Sequence, residues 1–209
     1  MKFYDCNPAP SPRRARMFIA EKGLEIPIVE VDLMANEHLS DKFKAINPQC
    51  TVPALELDDG TVICESVAIS RYLEELYPDP PLFGVDALDK AMVEMWNRRI
   101  EHYCLAPVAE SFRNFSKAFR TRSLTGPVDF KQVPELVERG RKRAEAFLAD
   151  WDAQLADNRY ITGDRFTIAD ITGVCTADFA MRIKIPVLED YPNIKRWYEE
   201  VSARPSAKL

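Results

Sequence analysis

The proline-rich stretch YPDPPLFGVDALD, residues 77–89, divides the sequence into two halves whose apolar residues follow different periods. Before it, short β-branched runs alternate with segments of helical period, and after it the apolar residues recur only at helical spacing. Prolines this close together interrupt helices and strands alike. We therefore predict two domains, residues 1–78 and 86–209, joined by a linker at residues 79–85.

The first half predicts an α/β domain in the order β-α-β-α-β-β-α. Its strands are expected at residues 2–5, 26–33, 54–57 and 61–64, and Asp58-Asp59-Gly60 predicts a tight hairpin between the last two. The first two strands, joined by a helical crossover, should be parallel, and the final pair antiparallel. The helix that follows "CNPAPSP" should end at Gly23.

The second half predicts an all-helical domain. One long helical segment spans residues 87–117, and Pro107 inside it should kink it. Further helices are expected at 134–156, at 167–181, and from near Pro192 to before Pro205. At the start of the 167–181 helix, Thr167 and Asp170 have the spacing of a capping box, and we assign this pair a structural role only.

Composition excludes several function classes. Lys and Arg total 28 against 33 Asp and Glu, a net charge of -5 that argues against a dedicated nucleic-acid binder. No apolar run approaches the roughly 20 residues that span a bilayer, and the N-terminus has no signal-peptide core, so we expect a cytoplasmic protein. The five cysteines are scattered and only two histidines accompany them, which predicts reduced thiols and no metal site.

Val52-Pro53 precedes the third predicted strand. A cis X-Pro bond costs only about 0.5–1 kcal/mol, against about 2.5–4 for other residues. A cis proline entering a strand would leave the N–H and C=O of Val52 free to pair with an extended peptide. The alternative is a proline that simply begins a strand.

Glu65-Ser66 stands about a dozen residues further on, at a predicted helix start. Ser66 is a suitable N-cap, and the free amides of a first turn attract a carboxylate. Since Glu65 can hold an ammonium group, the pair suits an α-amino acid head group. The alternative is an ordinary helix cap.

In their order and spacing, several short motifs together resemble the cytosolic glutathione transferase family, especially its theta-type and related bacterial and fungal branches. The resemblance covers nearly the whole chain and implies a thioredoxin-like first domain followed by an all-helical second domain. The motifs are Asn47-Pro48, Val52-Pro53-Ala54-Leu55, Glu65-Ser66-x-Ala68-Ile69 and Phe166-Thr167-x-Ala169-Asp170.

The resemblance implies a site for glutathione, bound as a co-substrate. Val52, before a cis Pro53, would pair with the backbone of the tripeptide's cysteine, and Glu65 and Ser66 would bind its γ-glutamyl end. His38 matches a position used near the glycine carboxylate, although it also suits a solvated helix start.

Two positions depart from the family's pattern. Thr51 replaces the Lys or Gln often found there, and the slot for a thiol-activating Tyr, Ser or Cys falls near Ala9 or Pro10, which have no side-chain donor. A free thiol with a pKa of about 8.5 is only a few per cent thiolate at neutral pH, so activation is needed. We predict Ser11 as the donor. Asn7, and helix N-terminal amides with an ordered water, remain open alternatives.

Cys6 and a basic cluster lie close to this segment. We expect Cys6 to belong to the core; if it faced the site, mixed-disulfide chemistry with glutathione would become plausible. For Arg13, Arg14 and Arg16 we expect surface or dimer salt bridges.

We expect a homodimer that adds the glutathione thiolate to a small, hydrophobic electrophile held between the domains. Candidates for the helical wall of that cleft are His102, Tyr103, Phe112 and Phe115. Two alternatives keep the fold: a glutathione-dependent disulfide or peroxide reductase, and a non-catalytic interaction module.

Overall fold

The computed structural model describes residues 1–209. Its first unit contains a four-stranded sheet in the order β2-β1-β3-β4, with β1 parallel to β2 and antiparallel to β3. β3 and β4 form an antiparallel hairpin, so the predicted strand directions are confirmed. The strands are β1 (Lys2–Asp5), β2 (Ile28–Glu30), β3 (Ala54–Glu56) and β4 (Val62–Cys64).

Three helices complete this unit: α1 (Pro10–Glu21), α2 (Asp41–Lys44) and α3 (Ser66–Leu76). Gly23 follows the end of α1 with φ +64°, a left-handed conformation that glycine adopts without steric cost, and its N–H donates to the Ala20 carbonyl at 2.9 Å. Lys22 is the C-cap and Gly23 the residue after it, so the predicted end of the helix is confirmed and the predicted C-cap is wrong by one residue.

A buried ion pair joins α1 to α3. The Lys22 side chain is 0% exposed, and its Nζ lies 2.5 Å from the Glu74 carboxylate. Nζ also donates to the Pro80 carbonyl at 2.5 Å. A buried cation is tolerated only with such partners, so this pair fixes the two helices and the end of the unit together.

The second unit is all-helical, and its helices follow the predicted order closely. They are α4 (Ala87–Ile100), α5 (Ala106–Phe115), α6 (Glu135–Ala156), α7 (Ile168–Arg182) and α8 (Pro192–Ser202). None of the helices in the chain is both long enough and apolar enough to cross a membrane.

A π turn interrupts the 87–117 segment, where the sequence predicts a kink. Glu101–Leu105 separates α4 from α5, and Pro107 lies in the first turn of α5. Because proline has no N–H and its ring crowds the preceding turn, the helix widens just ahead of it. The long segment is therefore two helices.

Asp170 organises the start of α7, where the predicted capping box is confirmed. One carboxylate oxygen accepts from the Thr167 N–H at 2.9 Å, and the other accepts from the Ile161 N–H at 2.9 Å and Trp197 Nε1 at 2.8 Å. Complete burial raises the pKa of Asp170 to about 6, although these donors act to lower it.

The two units meet in sequence at Pro80 and Pro81, inside the predicted 79–85 linker. Two pieces of the later chain, Thr125–Val128 and Leu209, group with the first unit. Neither assignment was predicted, because the period of the apolar residues carries no information about which unit a loop or a terminal residue packs with.

Candidate active site

The Val52–Pro53 peptide bond is cis, as predicted. The side chain of Val52 packs against the core cluster that contains Tyr4, Phe43 and Ala54. Neither the N–H nor the C=O of Val52 makes a backbone hydrogen bond within the protein. A side chain held in the core and an open backbone together leave this residue able to pair with an extended peptide.

Asn47 holds the loop that leads to Val52. It is 2% exposed, and its Nδ2 donates to the carbonyl and hydroxyl oxygens of Thr51 at 2.8 and 3.0 Å. Its Oδ1 accepts from the Gln49 N–H at 3.0 Å. In the sequence, Asn47-Pro48 is noted only as one of the motifs that carry the family resemblance. An Asn whose side chain can bond backbone groups in the following loop was the available signal for this role.

Glu65, rather than Ser66, is the N-cap of α3, so the predicted capping role of Ser66 is wrong by one residue. Ser66 is the first helical residue and is 4% exposed. Glu65 has φ +72° and ψ +123°, and its side chain makes no capping hydrogen bond. A non-glycine residue in this region costs about 1–3 kcal/mol, a strain that is typical of functional sites.

The N-terminus of α3 offers open amides. The first bond of its ladder runs from the Ile69 N–H to the Glu65 carbonyl at 2.9 Å, so the amides of residues 66–68 precede it. With the helix dipole, such amides attract a carboxylate. The exposed Glu65 beside them supplies the opposite charge. This arrangement suits the two charges of an α-amino acid head group.

Ser11 lies in the first turn of α1, whose N-cap is Ala9. Pro10 and Pro12 have no N–H, while the Arg13 N–H donates to the Ala9 carbonyl at 3.2 Å. The Ser11 amide is therefore the one left open at the start of this helix, and the Ser11 hydroxyl has no partner either. Two of the predicted alternatives, a hydroxyl donor and a helix amide, converge on the same residue.

Strand register brings these features to one end of the sheet. Tyr4 is paired with Ala54, and Ala54 with Cys64. β1 and β4 both run antiparallel to β3, so the segments that follow them lie beside the segment that precedes β3. The turn after β1, the Val52 loop and Glu65 are thus neighbours.

Cys6 and Asn7 occupy that turn. Cys6 is 5% exposed and burial raises the pKa of its thiol, which keeps it protonated at neutral pH and disfavours mixed-disulfide chemistry. Asn7 is exposed, and its N–H donates to Glu30 Oε1 at 3.0 Å. Cys6 therefore belongs to the core, as expected.

Arg14 and Arg16 are buried, at 6% and 8% exposure, so a surface salt bridge, one of the two roles expected for the basic cluster, is wrong for both. The dimer alternative stays a prediction. Arg16 Nη1 donates to the two carboxylate oxygens of Asp5 at 2.7 and 2.6 Å. The partner lies at the end of β1, inside the same unit.

His38 lies in the 3₁₀ turn Glu37–Leu39, which precedes α2, and its side chain is half-buried. The position is part of the first unit. A role beside the glycine carboxylate stays a prediction.

The proposed wall residues of the helical unit have different neighbours. His102 is exposed in the π turn, with Nε2 2.8 Å from Arg98 Nη2. Phe112 packs edge-on against Phe119, with ring centroids 5.5 Å apart, and Phe115 is 71% exposed at the end of α5. Their assignment to substrate binding stays a prediction.

The sheet order, the cis proline before β3 and the helical second unit define a two-domain protein with a thioredoxin-like first domain. The chain matches the glutathione S-transferase N-terminal domain family over residues 9–76 and the C-terminal domain family over residues 99–205. Glutathione S-transferase 2 of Saccharomyces cerevisiae is 36% identical over 100% of this chain and 88% of its own length.

Solved structures agree. Gtt2 of Saccharomyces cerevisiae matches with a TM-score of 0.90 and 36% identity, covering 100% of this chain and 99% of that one. A glutathione S-transferase domain-containing protein of Marinobacter aquaeolei VT8 matches with a TM-score of 0.90 and 35% identity over 99% of each chain. The chain belongs to the glutathione S-transferase family. The predicted family, fold and transferase activity with glutathione as co-substrate are confirmed.

Proposed function

We propose that this transferase joins the thiolate of glutathione to a small, hydrophobic electrophile in the cytoplasm. Val52 and Pro53 hold the backbone of the tripeptide, Glu65 and Ser66 its γ-glutamyl end, and His38 lies near its glycine carboxylate. The observation that carries the proposal is the open backbone of Val52 at the same end of the sheet as the open N-terminus of α3. The scattered cysteines support a reducing compartment.

The chemistry requires the sulfur to lose its proton before it attacks. A hydrogen bond and a helix N-terminus both favour the thiolate over the thiol. The open hydroxyl and amide of Ser11, at the start of α1, supply both. The sulfur then forms a bond to the electrophilic carbon, while the leaving group departs with the electrons of its own bond. We assign Ser11 the role of stabilising that thiolate.

Replacing Ser11 by alanine is expected to raise the pKa of the bound glutathione thiol by about 1–2 units, because a hydrogen bond to a charged group is worth about 1.5–3 kcal/mol. Ultraviolet absorption of the thiolate, titrated against pH, measures that pKa directly. Ser11→Thr keeps a hydroxyl and serves as the matched control, with a pKa close to that of the wild type.

A lowered pKa that Ser11→Ala leaves unchanged would move activation to the Ser11 amide or to Asn7. If wild-type glutathione did not bind, or kept the pKa of free glutathione, the proposed function would fail as a whole.

The proposal includes a homodimer. Leu88 and Met92, one turn apart on α4, are 73% and 38% exposed, and Leu76 and Tyr77 at the end of α3 are 49% and 39% exposed. Within each unit, exposed apolar side chains that lie a helical turn or less apart form a patch of the kind that marks interfaces between chains. A second copy of the chain is the partner that we propose for them.

Leu88→Glu is expected to convert the dimer to a monomer, because a charge at the centre of an apolar interface loses its hydration. Light scattering after gel filtration should show the mass fall from twice 23.9 kDa to 23.9 kDa. Leu124→Glu, a change at another exposed leucine, is the control and should leave the mass unchanged. A wild type of 23.9 kDa would contradict the dimer.

A further inference from the structure

Arg16 joins three parts of the first unit. Its side chain is 10% exposed, and Nη1 donates to both carboxylate oxygens of Asp5, the last residue of β1. Nη2 donates to the Asn7 carbonyl at 3.1 Å and lies 3.5 Å from the Leu209 carbonyl oxygen. One guanidinium thus reaches the end of the strand and the turn that follows it.

We propose that Arg16 is a positioning residue for activation of the glutathione thiol, acting through the turn that presents Ser11. This turn, residues 6–9, connects β1 to α1 and is called here the entry turn. The inference rests on the proposed function of Ser11 and adds a residue that does not itself touch the thiol.

Hydrogen bonds hold several peptide groups of the entry turn in place. The Asn7 carbonyl is bound by Arg16, and the Asn7 N–H is bound by Glu30 on β2 at 3.0 Å. The Ala9 N–H donates back to the Cys6 carbonyl at 2.9 Å. Without Arg16, the Asn7 carbonyl loses its charged donor, and the turn loses its side-chain contact with α1.

Geometry, rather than charge, is the means by which Arg16 acts. Asp5 is 2% exposed and accepts both bonds from Nη1, so the pair carries no net charge toward the site. The planar guanidinium has donors pointing to Asp5 and to Asn7 at once, which a single ammonium group cannot reproduce. Lysine at position 16 can therefore keep the charge but not the path of the entry turn.

The test compares Arg16→Lys and Arg16→Met with Lys22→Met. Lys22 is a matched control, since it is a buried cation at the C-terminal end of the same helix, paired with Glu74. We expect Arg16→Lys to raise the pKa of bound glutathione and to lower kcat/KM about 10-fold or more, because a displacement of about 1 Å at a remote support can cost about 100-fold in rate. Lys22→Met should lower the melting temperature and leave the bound thiol pKa unchanged.

The outcomes separate the inference from the function on which it rests. A wild-type bound thiol with the pKa of free glutathione would contradict the proposed function, and the inference with it. A lowered wild-type pKa that Arg16→Lys does not change, even with a loss of thermal stability, would show that Arg16 is structural only and overturn the inference alone. If Arg16→Met does not fold, Arg16→Lys and Asp5→Asn decide the question by the same titration.

Discussion

Replacing Glu65 by glycine is expected to raise the KM for glutathione about 10- to 100-fold without lowering the melting temperature. The carboxylate that would bind the ammonium group is lost, and a hydrogen bond between charged groups is worth about 1.5–3 kcal/mol. Glycine accepts the φ of +72° found at this position, whereas a residue with a side chain is strained there by about 1–3 kcal/mol. Steady-state kinetics and thermal denaturation of one preparation measure both effects.

A loss of affinity for glutathione without a loss of stability is the distinguishing feature of this prediction. Glu65→Gln keeps the side-chain length and the backbone strain, so its KM should rise while its melting temperature stays that of the wild type. Glu75→Gln removes an exposed carboxylate near the other end of α3 and should change neither quantity. An unchanged KM in Glu65→Gly would show that the Glu65 carboxylate does not bind glutathione.

Local signals explain why much of the fold could be predicted. The hairpin turn at residues 58–60, Gly23 after α1, and the Thr167 capping box each depend on residues within about one turn of one another. The π turn before Pro107 is different. An added Cβ on Gly140 of α6 would lie 2.5 Å from the Pro107 carbonyl oxygen, so the start of α5 is fitted closely to a helix that is distant in sequence.

The residues of the site show the same difference between local signals, which could be predicted, and contacts distant in sequence, which could not. Val52-Pro53 and Glu65-Ser66 could be found because each pair carries its own backbone chemistry, and the error at Ser66 is a shift of one residue. The burial of Arg16 could not be predicted. A charged residue is buried only when a partner is placed against it, and Asp5 meets Arg16 through the packing of α1 on β1.

Replacing Asp170 by alanine is expected to destabilise the second unit by about 4 kcal/mol or more, a large part of the 5–15 kcal/mol typical of a domain. The capping box contributes about 0.5–2 kcal/mol, and buried donors on Ile161 and Trp197 would lose their acceptor. Urea denaturation followed by tryptophan fluorescence measures the loss, since Trp151 and Trp197 lie in this core.

Asp178→Ala is the matched control on the same helix. Asp178 is only half-buried, and its carboxylate accepts a hydrogen bond from the Tyr198 hydroxyl. We expect its loss of stability to be clearly smaller than that of Asp170→Ala. Equal losses would mean that the capping box and the bonds of Asp170 to Ile161 and Trp197 contribute no more to the free energy of unfolding than the hydrogen bond between Asp178 and Tyr198.

Asp170 also predicts a pH dependence of defined sign. Burial raises its pKa in the folded state to about 6 from the ordinary 3.8, so the folded protein binds this proton more readily than the unfolded chain. Between about pH 4 and about pH 6, the contribution of this group to the free energy of unfolding therefore falls as pH rises. The stability of the wild type relative to Asp170→Asn, which does not titrate, should be greater at about pH 4.5 than at about pH 7. A difference that is constant over this range, or that grows with pH, would show that the carboxylate stays ionised in the folded state.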